Sequence, residues 1–137
     1  MKVYWDTSAA INALVSKVVW DRLSENENFS RVHLACEFFA IMTGRGIQVD
    51  REGTRLVMSA KEAAMWLREF SKKVKVVEID MPEMLDALDS ASEKGVQGGR
   101  VYDYTHAMAA KKCGAEIILT RNAKDFEGLT AAKVEWP

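Results

Sequence analysis

The 137-residue chain has two cysteines, two histidines and no apolar run near the roughly 18 residues a membrane-spanning helix needs. Cys36 and Cys113 form no C-x-x-C pair and no zinc spacing, and no third histidine completes a zinc set. Each cysteine sits in an apolar helical context, so both are expected to be buried free thiols in a reducing cytosol. Met1-Lys2 runs straight into a strand-like stretch rather than a secretory segment. The expected location is cytoplasmic, away from membranes. An excess of either charge is also missing, with 19 basic against 20 acidic residues and a net charge of −1. That excludes a protein held on nucleic acid by bulk charge alone. It does not exclude a nuclease, because clustered acids lower the formal charge while bound cations restore it locally.

The hydrophobic content is 48% and the charged content 28%, as in an ordinary soluble globular domain. The length predicts one domain over residues 1–137. Residues 2–5 read as a strand stopped by Asp6-Thr7-Ser8, which caps a helix over 9–24. Residues 24–28 read as a polar loop. Ser30 is predicted to cap a helix over 31–43 that ends at Gly44 and Gly46. Residues 44–56 fit either a strand-like turn or a helix. Ser59 and Glu62 form a capping-box pattern at the head of a helix. A strand is expected over 74–79, a helix from Met81-Pro82 to Glu93, a glycine-rich loop over 95–100 and a helix over 102–112. Strands at 116–119 and 133–136 complete the chain. Strands alternating with helices predict an α/β sandwich around a parallel sheet.

Five polar residues carry the functional question. Asp6 follows the first strand, where ligands bind in open α/β sheets, yet it also serves as a helix cap. Glu37 lies between Cys36 and Phe38. A carboxylate in such a setting must be solvated, paired or bound to a cation. Asp103 falls in a first helical turn, which favours an acid on dipole grounds alone. Asn122 and Asp125 follow the strand at 116–119 and read equally as turn residues. His33 lies four residues before Glu37 and His106 three after Asp103, so each pair shares a helix face. Both histidines are expected to make local hydrogen bonds. "GVQGG" at 95–99 lacks the ending of a phosphate loop and reads as a flexible connection.

The stretches "VYWDTSAAINAL", "HLACEFFAIMTG", "GGRVYDYTHAMAAKKCGAEIILTRN" and "KDF", in that order and spacing, resemble PIN-domain ribonucleases, and within them the VapC toxins of toxin–antitoxin pairs. The resemblance implies a three-layer α/β/α PIN-like sandwich and a single PIN domain. It implies catalytic residues Asp6, Glu37, Asp103, Asn122 and Asp125, with Asp6, Asp103 and Glu37 holding Mg²⁺ or Mn²⁺. Ser8 and Thr120 match small hydroxyl residues that support the carboxylates. Residues 44–75 match poorly.

The expected activity is metal-dependent endoribonuclease hydrolysis of RNA phosphodiester bonds by a toxin-type protein. Arg100 and Arg121 are candidate RNA-phosphate contacts. The expected partners are an RNA substrate, a cognate antitoxin protein and a second copy in a homodimer. Surplus apolar residues around Met65, Trp66, Leu67 and Phe70 are candidates for that dimer face. A non-catalytic PIN-like module that binds RNA or protein is the alternative. An aspartyl-nucleophile phosphoryl transferase is disfavoured, because Ser8 stands where such sites carry a second Asp.

Overall fold

The computed structural model describes residues 1–137. Five parallel strands form the central sheet: β1 (Lys2–Trp5), β2 (Glu27–Ser30), β5 (Val74–Val76), β6 (Ile117–Leu119) and β7 (Lys133–Glu135), in the order β5-β2-β1-β6-β7. The remaining strands, β3 (Ile47–Gln48) and β4 (Arg55–Leu56), make a separate antiparallel hairpin. Helices α1 (Thr7–Val15), α2 (Lys17–Glu25), α3 (Val32–Thr43) and α4 (Ala60–Ser71) lie on one side of the sheet, while α5 (Met81–Asp89) and α6 (Arg100–Lys112) lie on the other.

The two-residue period of the strands divides the core into these layers. Val3 and Trp5 of β1 join Ile117 and Leu119 of β6 beneath α1 and α2. Tyr4 and Ile118 face the opposite way, onto Tyr104, Ala107 and Phe126. Trp66 of α4 stacks against Phe38 and Phe70 with ring centroids 4.6 and 5.2 Å away, so of the apolar set on α4 only Met65 is largely exposed. The chain runs outward from β1 through β2 to β5, then returns to the far side of β1 with β6 and β7. The order therefore reverses between β1 and β6, which opens a crevice at their carboxyl ends.

Several sequence expectations are corrected. The helix expected over 9–24 is two helices, because Ser16 is extended and its side chain accepts from Val19 N–H to restart the turn. The polar loop expected at 24–28 runs into a central strand, β2. Its sequence, ENFS, has a single apolar residue. The buried Asn28 replaces apolar burial with hydrogen bonds: it accepts from Trp5 Nε1 at 2.9 Å and donates to Leu23 O at 2.7 Å. Ser30 belongs to this strand and donates to Trp5 O at 2.7 Å, so Arg31 takes the cap position of α3. Asp80 caps α5 in a capping box with Glu83, and α6 begins at Arg100.

The open question at 44–56 resolves as the β3–β4 hairpin. Gly46 has φ +65°, and a Cβ there would clash with Leu56 O, so the close return of the chain needs glycine. The thiols also differ from expectation: Cys36 is exposed on the outer side of α3, and Cys113 is half-buried at the end of α6. No helix is long and apolar enough to cross a membrane.

Asn28→Ala would strip a buried strand of its polar partners and leave the Trp5 N–H unpaired. The expected loss is about 1–3 kcal/mol of unfolding free energy, measured by urea denaturation. An unchanged midpoint would mean that these bonds do not hold β2 in place.

Candidate active site

Asp6 leaves β1 at the crevice and caps α1, accepting from Thr7 N–H through Oδ1. Its other oxygen accepts from Thr120 Oγ1 at 2.6 Å and from Ser8 Oγ at 3.3 Å. Thr120 is fully buried just beyond β6, and its hydroxyl also accepts from Asn122 N–H at 3.1 Å. Ser8 Oγ accepts from Arg121 N–H at 2.9 Å. These bonds tie the starts of α1 and the 120s turn to one carboxylate and fix its rotamer.

Glu37 lies beside the buried Leu34–Phe38–Met42 stripe of α3, half-exposed rather than in the core. His33 Nε2 lies 2.9 Å from its carboxylate and His106 Nε2 lies 3.9 Å away. Burial raises the Glu37 pKa and the Asp6 charge adds to the rise, while His33 opposes it. Thr7 Oγ1 lies toward Glu37 and favours its ionised form, yet this buried hydroxyl makes no well-formed hydrogen bond.

His106, treated in the sequence as a local histidine, is a buried link. Burial lowers its pKa and raises that of Tyr4. The Tyr4 hydroxyl and Nδ1 of His106 share a hydrogen bond at 2.7 Å, and Nε2 of the same ring lies 3.9 Å from the Glu37 carboxylate. The sequence signal was the 3.6-residue spacing that sets His106 on the Asp103 face of α6; its pairing with Tyr4, 102 residues away, carries no local signal.

Asp103 lies in the first turn of α6, partly buried. Its pKa is raised by burial first, then by the charges of Asp125 and Asp6, while Arg100 opposes them. Asp6 thus shares a field with both Glu37 and Asp103, and Asp125 stands with Asp103. Asn122 opens the short 3₁₀ turn Ala123–Phe126, which buried Phe126 anchors. Arg100 donates to Glu127 O at 2.7 Å, tying α6 to this turn, whereas the side chain of Arg121 has no protein partner.

A cleft of about 910 Å³ opens from this edge, with Asp6, Glu37, Asn122 and Arg121 among its lining residues. Asp6, Glu37 and Asn122 bring oxygen donors to it, while Asp103 and Asp125 do not line it and Arg45, Arg51, Arg55 and Arg121 do. No group of three or more His, Cys, Asp or Glu side chains is placed to hold a metal ion. The carboxylates of Asp6 and Glu37 are hard oxygen ligands of the kind Mg²⁺ takes, one or two at a time, while it keeps several waters.

The architecture is the PIN-like α/β/α sandwich of solved VapC structures. One such match is a chain of VapBC-1 from nontypeable Haemophilus influenzae, with a TM-score of 0.67 and 15% identity over 99% of this chain and 98% of that one. A second is a chain of VapBC2 from Rickettsia felis, in a structure bound to a DNA fragment from their promoter. Its TM-score is 0.65, with 13% identity over 98% of both chains. At these identities the likeness is one of fold. No protein-family model matches the chain, and no curated protein matches it.

Asp103 binds its proton more tightly in the folded chain than an ordinary carboxyl does. The folded state therefore loses stability as pH rises from the ordinary carboxylate range through the raised pKa. Asp103→Asn is expected to gain stability over the unsubstituted chain in EDTA at neutral pH, by less than about 1 kcal/mol given solvent screening. The gain should vanish well below the ordinary carboxylate pKa. Melting curves across pH check this, and a pH-independent difference would contradict it.

Proposed function

We propose that the protein is a metal-dependent endoribonuclease of the VapC type, acting as the toxin of a toxin–antitoxin pair. The observation that supports the reading is Asp6, held by Ser8 and Thr120 at the β1/β6 crevice of a PIN-like fold, with Glu37 and Asn122 lining the same cleft and the Asp6 charge raising the pKa of Glu37 and Asp103. Asp6 and Asp103 would hold Mg²⁺ or Mn²⁺, with Glu37 completing the set. When bound, the cation lowers the pKa of a water and offsets charge on the phosphoryl group.

The chain's own residues do the positioning. Ser8 and Thr120 hold Asp6 in a single rotamer, so that its lone pairs stay aimed at the crevice. Glu37, with the His106 ring beside it, orients the attacking water and takes its proton. The water oxygen bonds to phosphorus, the P–O ester bond breaks, the departing oxygen takes a proton from solvent water, and Glu37 returns its own to solvent. Asn122 adds an uncharged oxygen, and Asp125 adds negative charge beside Asp103.

That no group of three or more His, Cys, Asp or Glu side chains is placed to hold a metal ion favours one other reading, a PIN-like module that binds RNA or a protein without cutting it. Cleavage assays separate the two. The unsubstituted chain with Mg²⁺ or Mn²⁺ is expected to cut RNA and to stop in EDTA. Asp6→Asn and Asp103→Asn are each expected to lose at least about 100-fold in rate, the scale on which one group that stabilises transition-state charge acts. Mg²⁺ should also raise the melting temperature of the unsubstituted chain but not of the double variant. Undiminished cleavage by folded Asp6→Asn, or no cleavage under any metal, would sink the nuclease reading.

An antitoxin and a second copy of the chain are the proposed protein partners. Val15, Val18, Val57 and Met65 are exposed on the α1–α4 side, and Met81, Leu85 and Tyr102 on the α5–α6 side. Light scattering is expected to give about twice the chain mass, and a monomer at micromolar concentration would contradict the dimer.

A further inference from the structure

The cleft that begins at Asp6 and Glu37 continues past the end of α3 to the β3–β4 hairpin. From Glu37 to Thr43, the last residue of α3, is roughly 9 Å along the helix axis. Beyond it Arg45, Arg51 and Arg55 line the cleft from the hairpin, while Arg121 and Trp136 line it at the ends of β6 and β7, the end where Asp6 lies.

The hairpin is a fastened arm. Gly46 N–H donates to Ile41 O at 2.8 Å, Met58 N–H to Met42 O at 2.7 Å, and Ile47 and Leu56 pack on Phe38 and Met42. Arg55 secures it further, donating to Arg45 O and Gly46 O at 2.7 and 2.9 Å. Arg45 and Arg51 have no such duty: both are exposed, and neither side chain has a hydrogen-bond or ion-pair partner. Asp50 is the one acid among them, and its carboxylate accepts from Thr54 N–H.

Trp136 is 48% exposed, although tryptophan is ordinarily well buried. The backbone on both sides of it is held: Thr120 N–H donates to Glu135 O at 3.0 Å before it, and Asn12 Nδ2 donates to Pro137 O at 3.2 Å after it. An exposed indole lining one cleft with unpaired guanidiniums offers a stacking surface along with phosphate-binding forks.

We infer that the β3–β4 hairpin and Trp136 form a track for an unpaired RNA strand, with Arg45, Arg51 and Arg121 on its phosphates and Trp136 stacked on one base. This rests on the nuclease reading above and assigns a role to a segment whose resemblance to the family is weak. The strand is unpaired because a duplex keeps its base faces stacked inside, out of reach of an indole.

The test is binding of a labelled 12-nucleotide RNA to the unsubstituted chain in EDTA, compared with the same sequence as a duplex. The single strand should bind more tightly. Arg45→Ala and Arg51→Ala should each lower the slope of log affinity against log salt by about 0.7, and Arg45→Lys should restore it. Trp136→Leu should weaken binding roughly tenfold with the slope unchanged, and Trp136→Phe should keep most of the affinity. The track is overturned if the duplex binds as well as the single strand, if neither binds, or if the three variants match the unsubstituted chain. Cleavage by Asp6→Asn, run beside it, reports on the nuclease reading separately. Cutting by that variant with the binding pattern intact would remove the reading and keep the track. Loss of cutting with the binding pattern absent would do the reverse.

Discussion

Asp6 Oδ2 and Thr120 Oγ1 meet at 2.6 Å across the point where the strand order reverses. Asp6 is the first residue after β1 and Thr120 the first after β6, so the bond joins two strands that are neighbours in the sheet but 114 residues apart in the chain. It also holds a carboxylate at a place where two others press on it. Helix capping and the two hydroxyls fix where the Asp6 carboxylate sits. Glu37 and Asp103 are pushed up, by burial and then by charge.

The rest of the site follows from where the parallel sheet sends its chain ends. Parallel strands all deliver their carboxyl ends to one edge. Asp6, Asn122 and Trp136 consequently share that edge although they come from three separate strands. Glu37 and Asp103 arrive from helices packed on opposite faces, so the sheet edge is where the two helical layers can bring charge together. Tyr4 lies under the centre of this arrangement. Its side chain points to the α6 face, where it hydrogen-bonds Nδ1 of His106, while its neighbour Trp5 points to the other face and bonds Asn28. One strand of four residues thus supports both the acid pair and the adjacent strand.

What the sequence made legible was whatever depends on local pattern. The strand ends at Asp6 and Thr120, the capping box at Ser59, and the alternation that defines an α/β sheet all have signals within a few residues. β2 had none, because its burial is carried by hydrogen bonds from Asn28 and Ser30 rather than by apolar side chains. Periodicity marks hydrophobic burial and is silent about polar burial that is paid for across the sheet. Ser16 escaped for a related reason, since the apolar spacing continues through it and only its backbone angle breaks the helix. Cys36 shows the opposite error. Its apolar neighbours implied a buried thiol, but it lies beside the buried stripe, and a 100° step per residue is enough to move a side chain to the surface.

The near-zero net charge takes on a different meaning once the fold distributes it. A sum of −1 says nothing about placement: on the cleft Asp6 and Glu37 lie with Arg121 at the strand ends, while Arg45, Arg51 and Arg55 come from the hairpin together with Asp50. A cation among the acids, as proposed above, would offset their repulsion of a phosphate chain and so couple the two binding events through the field. The hairpin need not move for this to happen, because its backbone is fixed to α3 through Gly46 and Met58. On this account, the charge balance that excluded non-specific attraction by the whole surface is what confines attraction to a single groove.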